Sequence, residues 1–274
     1  MPEQAGNEHY ARGLARAAGG ALLFAIPLLM TMEMWWLGFY MDRFRLALFL
    51  VVTLVILVRL SFYAGFEETF RFRNDAMDAL ASFAVGIVVS AIILAAFGVI
   101  APDMPANEIF GKIALQAVPA SIGAVLARKQ LGGGGDTERR KRRGSGYGSE
   151  LFLMMVGALF FAFNVAPTEE MVLIAYRMTH WHAAGLALLS VLLLHAFVYT
   201  VGFAGQEEPP GEAGFWLTFL HYTLAGYGIA LIVSLYILWT FGRTDDVALA
   251  EIASMTLVLG FPAAVGAAVA RLIT

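Results

Sequence analysis

The sequence predicts an all-α membrane protein of about eight transmembrane helices, built as two parallel four-helix repeats around a pseudo-two-fold axis normal to the membrane. Three observations carry this. The 274 residues are 59% hydrophobic and only 14% charged, with a mean hydropathy of +0.73, whereas soluble domains run nearer half apolar and a quarter charged. Apolar runs long enough to cross about 30 Å of hydrocarbon recur along nearly the whole chain. The two halves also repeat one another, without a gap over their first segments and with small shifts of register later.

Hydropathic runs place the helices at about 14–41, 44–66, 76–100, 108–128, 150–177, 182–203, 214–241 and 248–272. The first is long, follows Arg12 and Arg16, and contains Glu33, which sets it apart from a secretion signal. The fourth is interrupted by Lys112, Gln116 and Pro119, and the eighth by Pro262, so either is expected to be kinked or re-entrant. Three domains follow: a first repeat over 14–128, a basic flexible linker over 129–149, and a second repeat over 150–274.

The linker joins four glycines, Gly132 to Gly135, to the basic run Arg139-Arg140-Lys141-Arg142-Arg143. A basic run beside a membrane span reads first as a topology signal, so the linker is placed in the cytoplasm. That puts twelve Lys and Arg inside against five outside (Arg43, Arg45, Lys112, Arg177 and Arg243), with Arg59 embedded and both termini cytoplasmic. Net charge is −3, and no partnership with nucleic acid is expected. With no cysteine, disulfides, iron–sulfur clusters, thiolate zinc sites and cysteine nucleophiles are excluded.

In the repeat, Gly20 to Ala25 align with Gly157 to Ala162, and Thr31-Met32-Glu33-Met34 with Thr168-Glu169-Glu170-Met171. Later segments pair Ser90, Phe97 and Gly98 with Ser234, Phe241 and Gly242, and Glu108, Pro119, Gly123 and Arg128 with Glu251, Pro262, Gly266 and Arg271. An even number of spans per repeat gives both halves the same orientation. Small residues at close-packing spacing, Ala120, Gly123, Ala124 and Ala127 with Ala263, Gly266, Ala267 and Ala270, suit tight helix contacts. They could meet across the axis or in a homo-oligomer.

Glu33 and Glu170 are symmetry mates inside spans, each preceded at two residues by a threonine, Thr31 and Thr168. A carboxylate within the bilayer costs about 2–3 kcal/mol even on permissive scales and is expected to face protein or water. If both face the axis, each raises the other's pKa and favours a shared proton or a bound cation. The alternative is that they are hydrated near the headgroups or cap a broken helix. Glu169, Asn164 and Pro167 add polar groups and a kink, and His195 lies near the middle of the sixth span. His221 lies in the seventh, and Arg59 with Asp78 is expected to form a structural ion pair. The acidic pairs Glu67-Glu68 and Glu207-Glu208 either line the mouth of a cation path or are solvated loop charge. Trp35, Trp36, Tyr40 and Trp181 fit an outer aromatic belt.

With PLLMTMEMWWLGFY over Pro27 to Tyr40 and FNVAPTEE over Phe163 to Glu170, the whole chain resembles a family of bacterial integral membrane proteins of unknown function. The resemblance implies a bacterial inner-membrane setting and no mechanism. The expectation is a cation or proton-coupled transporter or ion channel, with membrane lipid and a small cation or proton as partners. Glu33, Glu170, Glu169, Asn164 and His195 would bind ion or proton, supported by Thr31, Thr168, Arg59, Asp78 and His221. No cofactor or metal is assigned. Two other classes stay open: a membrane-embedded enzyme pairing Glu169 or Glu170 with His195 or His221, and a scaffold or sensor that works through the basic linker.

Overall fold

The computed structural model describes residues 2–64, 72–131, 147–200, 216 and 219–273, and these are helical throughout apart from short turns. Helix is what an apolar medium demands, because it satisfies the backbone N–H and C=O groups within the segment. Among the described residues, eight helices are long and apolar enough to cross a membrane. The chain divides into two compact units, Met1–Gly135 and Asp136–Thr274. The basic run and the acidic pairs Glu67-Glu68 and Glu207-Glu208 lie outside the described residues.

The first unit runs α1 (Pro2–Leu29), α2 (Met32–Tyr40), α3 (Arg43–Ala64), α4 (Phe72–Ala96) and α5 (Ala106–Leu131). Its centre is α5, which packs against each of the other four helices. Alanines at helical spacing on α1 (Ala17, Ala21, Ala25) meet Ala120 and Ala124 of α5 and Val85 and Val89 of α4. Such small side chains let the backbones come close, which is how membrane helices gain contact when lipid removes the hydrophobic drive. At the α1–α5 crossing Gly20 lies on Gly123, and a Cβ on either would overlap the opposite backbone.

The second unit runs α6 (Tyr147–Val165), α7 (Glu169–Arg177), α8 (His180–Thr200), a π-helical turn Phe219–Leu224 leading into α9 (Ala225–Thr240), and α10 (Leu249–Ile273). Here α10 packs against α6, α7, α8 and α9, and Gly157 lies on Gly266 at the α6–α10 crossing. The small residues around Gly123 and Gly266 therefore serve contacts inside their own units. In each unit the helix before the last ends on a left-handed glycine, Gly98 at φ +70° and Gly242 at φ +72°, a conformation glycine adopts without steric cost.

Two expectations are corrected. The runs 14–41 and 150–177 are each two helices, because the backbone turns extended at Thr31 (φ −101°, ψ 116°) and Thr168 (φ −71°, ψ 142°) and starts a separate nine-residue helix. Asp, Asn, Ser and Thr favour such a position, and in the second unit Pro167 disfavours helix at the residue before it. Conversely, α5 and α10 pass through Pro119 and Pro262 as continuous helices.

Candidate functional site

At the break in the first unit, the last carbonyls of α1 lack their regular helical partners, and Thr31 N–H reaches back only to Leu28 O, at 3.1 Å. Thr31 Oγ1 donates to Pro27 O at 2.6 Å, Trp35 Nε1 to Leu29 O at 2.8 Å, and Gln116 Nε2, from α5, to Leu28 O at 3.0 Å. Trp35 thus does more than anchor at an interface. Glu33 falls in the first turn of α2, where the positive end of the helix dipole favours a carboxylate. It is half-buried and has no partner among the described residues.

Beside α2, Lys112 of α5 donates to Glu108 Oε1 at 2.6 Å and to Val99 O at 3.3 Å. The α2 backbone reaches α5 at Gly38, which rests against the backbone of Lys112, while Gly111 rests against Gly38 O. A side chain at either glycine would push the helices apart. Arg43 closes the far end of α2, its Nη2 donating to Phe39 O at 3.2 Å.

In the second unit, Thr168 Oγ1 donates to Val165 O at 2.8 Å, and the main ligand of the break is Arg243, just past Gly242. Its Nη2 donates to Pro167 O at 2.6 Å, and its Nη1 pairs with Glu169 Oε1 at 3.0 Å. Asn164, half-buried, turns back on its own helix, with Nδ2 donating to Phe160 O at 2.7 Å. Glu170 is exposed in the first turn of α7 and has no partner among the described residues. At the other end of α7, Tyr176 donates to Glu251 Oε2 at 2.9 Å, and the accepting carboxylate holds the Tyr176 phenol above its ordinary pKa of 10.0.

Glu33, Glu169 and Glu170 all fall on the short helices α2 and α7, between the spans Ala11–Leu29 and Arg43–Phe62 in the first unit and Tyr147–Val165 and His180–Phe197 in the second. His195 sits elsewhere in the second unit. Its Nδ1 is 2.9 Å from Thr223 Oγ1, and its ring meets Phe219 edge-on at 5.3 Å, both partners on the π-helical turn. The same turn carries His221, exposed, whose backbone oxygen accepts from Tyr147 OH at 2.7 Å. Arg59 is exposed on α3, and Asp78 half-buried on α4, two helices that pack together. Among the described residues no three of His, Asp and Glu gather as a metal site.

The sequence reading undervalued three residues. Gln116 registered only as an interruption of a span, and Lys112 as that and an outside charge, although Glu108, Lys112 and Gln116 at four-residue spacing lie on one helical face. Arg243 counted only toward topology, and nothing in its local sequence announces a contact with a segment 76 residues earlier.

Residues 13–274 match the family model described as "Putative integral membrane protein (DUF2391)", and the chain belongs to that family. No curated protein and no solved structure matches it.

Proposed function

We propose that this integral membrane protein is a cation- or proton-coupled transporter or ion channel, made of two parallel four-helix repeats that each contribute one helix-break carboxylate, Glu33 and Glu170. The repeat reading is supported by the matching order of elements in the two units, the glycine crossings Gly20–Gly123 and Gly157–Gly266, and the left-handed glycines Gly98 and Gly242. The setting that suits it is a bacterial inner membrane, with the basic linker and both termini on the cytoplasmic side.

One observation carries the transport reading: in both units the first span ends just before a threonine that starts a short separate helix, whose first turn holds a carboxylate with no partner among the described residues, Glu33 or Glu170. Discontinuous helices are how transporters present ion-binding groups at membrane depth. A carboxylate with no ion pair among the described residues accepts a proton or a cation without first breaking one. Glu169 differs, since Arg243 already neutralises it.

Carbodiimide labelling read by mass spectrometry tests this, because the reagent modifies protonated carboxyls in an apolar setting. The expected result is modification at Glu33 and Glu170 that falls when one of sodium, potassium, calcium or magnesium is added. Labelling indifferent to every cation and to pH would contradict the reading.

A further inference from the structure

The face of α5 that meets the α1 break is polar in a way the transport reading leaves unused. Lys112 is 6% exposed and Gln116 wholly buried. Gln116 spends its amide nitrogen on Leu28 O, while its Oε1 is buried and accepts from no group among the described residues. Lys112 places two of its N–H groups on Glu108 and Val99 O and keeps a third. On the facing helix α4, Gly86 lies against Ala117 O and the Ser121 backbone. Ser82 and Ser90, one turn to either side of Gly86, are wholly buried, and neither hydroxyl has a partner among the described residues.

Buried polar atoms in folded proteins are satisfied by protein or by ordered water, and water settles where two to four polar groups surround it. The Gln116 acceptor, the Lys112 ammonium one turn before it on α5, and the hydroxyls of the α4 helix that packs on α5 offer both kinds of partner. The second unit is built differently at the aligned positions. Lys112, Gln116, Ser121 and Ser82 correspond to Met255, Leu259, Ala264 and Gly226, and Ser234, which matches Ser90, donates to Ala230 O at 2.7 Å.

We propose that the α4–α5 seam of the first unit binds internal water at Gln116 Oε1, joining the Lys112–Glu108 pair to the seam serines, and that this unit is the proton-conducting half of the protein. The second part rests on the transport reading; the water site does not. Relay along hydrogen-bonded water forms one O–H bond and breaks another at each molecule, so no seam residue needs to carry extra charge. The aligned positions of α9 and α10 hold neither the amide nor the ammonium, and Ser234 is turned back on Ala230 O, which leaves the second unit to bind rather than conduct.

The test is water-to-protein magnetisation transfer by NMR on 15N-labelled full-length protein in bilayers. The Gln116 side-chain amide, the Lys112 ammonium and the Ser121 amide are expected to gain signal several-fold faster than the amides of Leu259 and Ala264. Equal, slow build-up at both sets would overturn the water site, and the wild-type measurement depends on no variant folding. In Gln116→Leu, fast transfer at Ser121 should vanish, and its persistence would show that the oxygen holds no water. Fast wild-type transfer without any proton flux into proteoliposomes would leave the water site standing and remove the conducting role. Slow transfer with intact flux would overturn both parts, because the relay runs through that water.

Discussion

In the first unit the carbonyls freed at the helix break are held by neutral donors, Trp35 and Gln116, while the nearby cation Lys112 is buried against Glu108. In the second unit a cation does the holding itself, Arg243 reaching both Pro167 O and Glu169. The short helices are fixed in different ways as a result. Helix α2 is seated backbone to backbone on α5 through Gly38 and Gly111, whereas α7 is tied at its two ends by Arg243–Glu169 and Tyr176–Glu251. Gly38 aligns with Ala175 and Gly111 with Ser254, so the close seat exists only where both helices lack a side chain. The same break can thus be stabilised by shape or by charge, and only the second choice leaves its ties exposed: the Glu169 side chain is 67% accessible.

The largest effect is expected where charge is buried. Lys112→Met, which copies Met255, strands the Glu108 carboxylate and should cost about 3–5 kcal/mol in equilibrium unfolding in detergent. Adding Glu108→Gln should recover much of that loss, and a double variant no better than the single one would mean the pair is not coupled. Next comes the glycine seat. Gly38→Ala forces a methyl into the Lys112 backbone and should cost about 1–3 kcal/mol, while the mirror change Ala175→Gly should cost less than 1 kcal/mol or so. Equal losses would erase the distinction between the two short helices.

Arg243→Gln removes an exposed ion pair and one carbonyl bond, so about 1 kcal/mol is expected, and part of that loss should already be gone from the wild type at high salt. Smallest is Tyr176→Phe, visible mainly by pH. Because Glu251 raises the Tyr176 pKa above 10.0, the contact is fully present below pH 10 and is lost as pH rises through the higher folded value. The ultraviolet phenolate difference between wild type and Tyr176→Phe should therefore titrate above pH 10, and a midpoint at or below 10 would contradict the hydrogen bond.

The eight spans were legible because hydropathy reports length and apolarity directly, and the small-residue faces because tight helix contacts require them. The breaks at Thr31 and Thr168 were not, since a short helix as apolar as MEMWWLGFY extends a hydropathic run without a gap. The signal was nonetheless in the chain: threonine followed at two residues by glutamate is a helix start as much as a polar motif within a span. Glu33 and Glu170 were singled out for burial inside a helix, and the structure puts them in the first turns of new helices instead. Arg243 and Gln116 could not be matched to Pro167 and Leu28 by spacing, because those contacts join segments 76 and 88 residues apart through the packing of whole helices.

The most direct measurement of the central claim is pH-dye flux in proteoliposomes under sodium, potassium, calcium and magnesium gradients imposed in turn, comparing wild type with Glu33→Gln and Glu170→Gln of verified folding. Transport through the helix-break carboxylates predicts a cation-dependent proton signal in wild type that both substitutions abolish. No signal with any ion, or a signal that both variants retain, would contradict it.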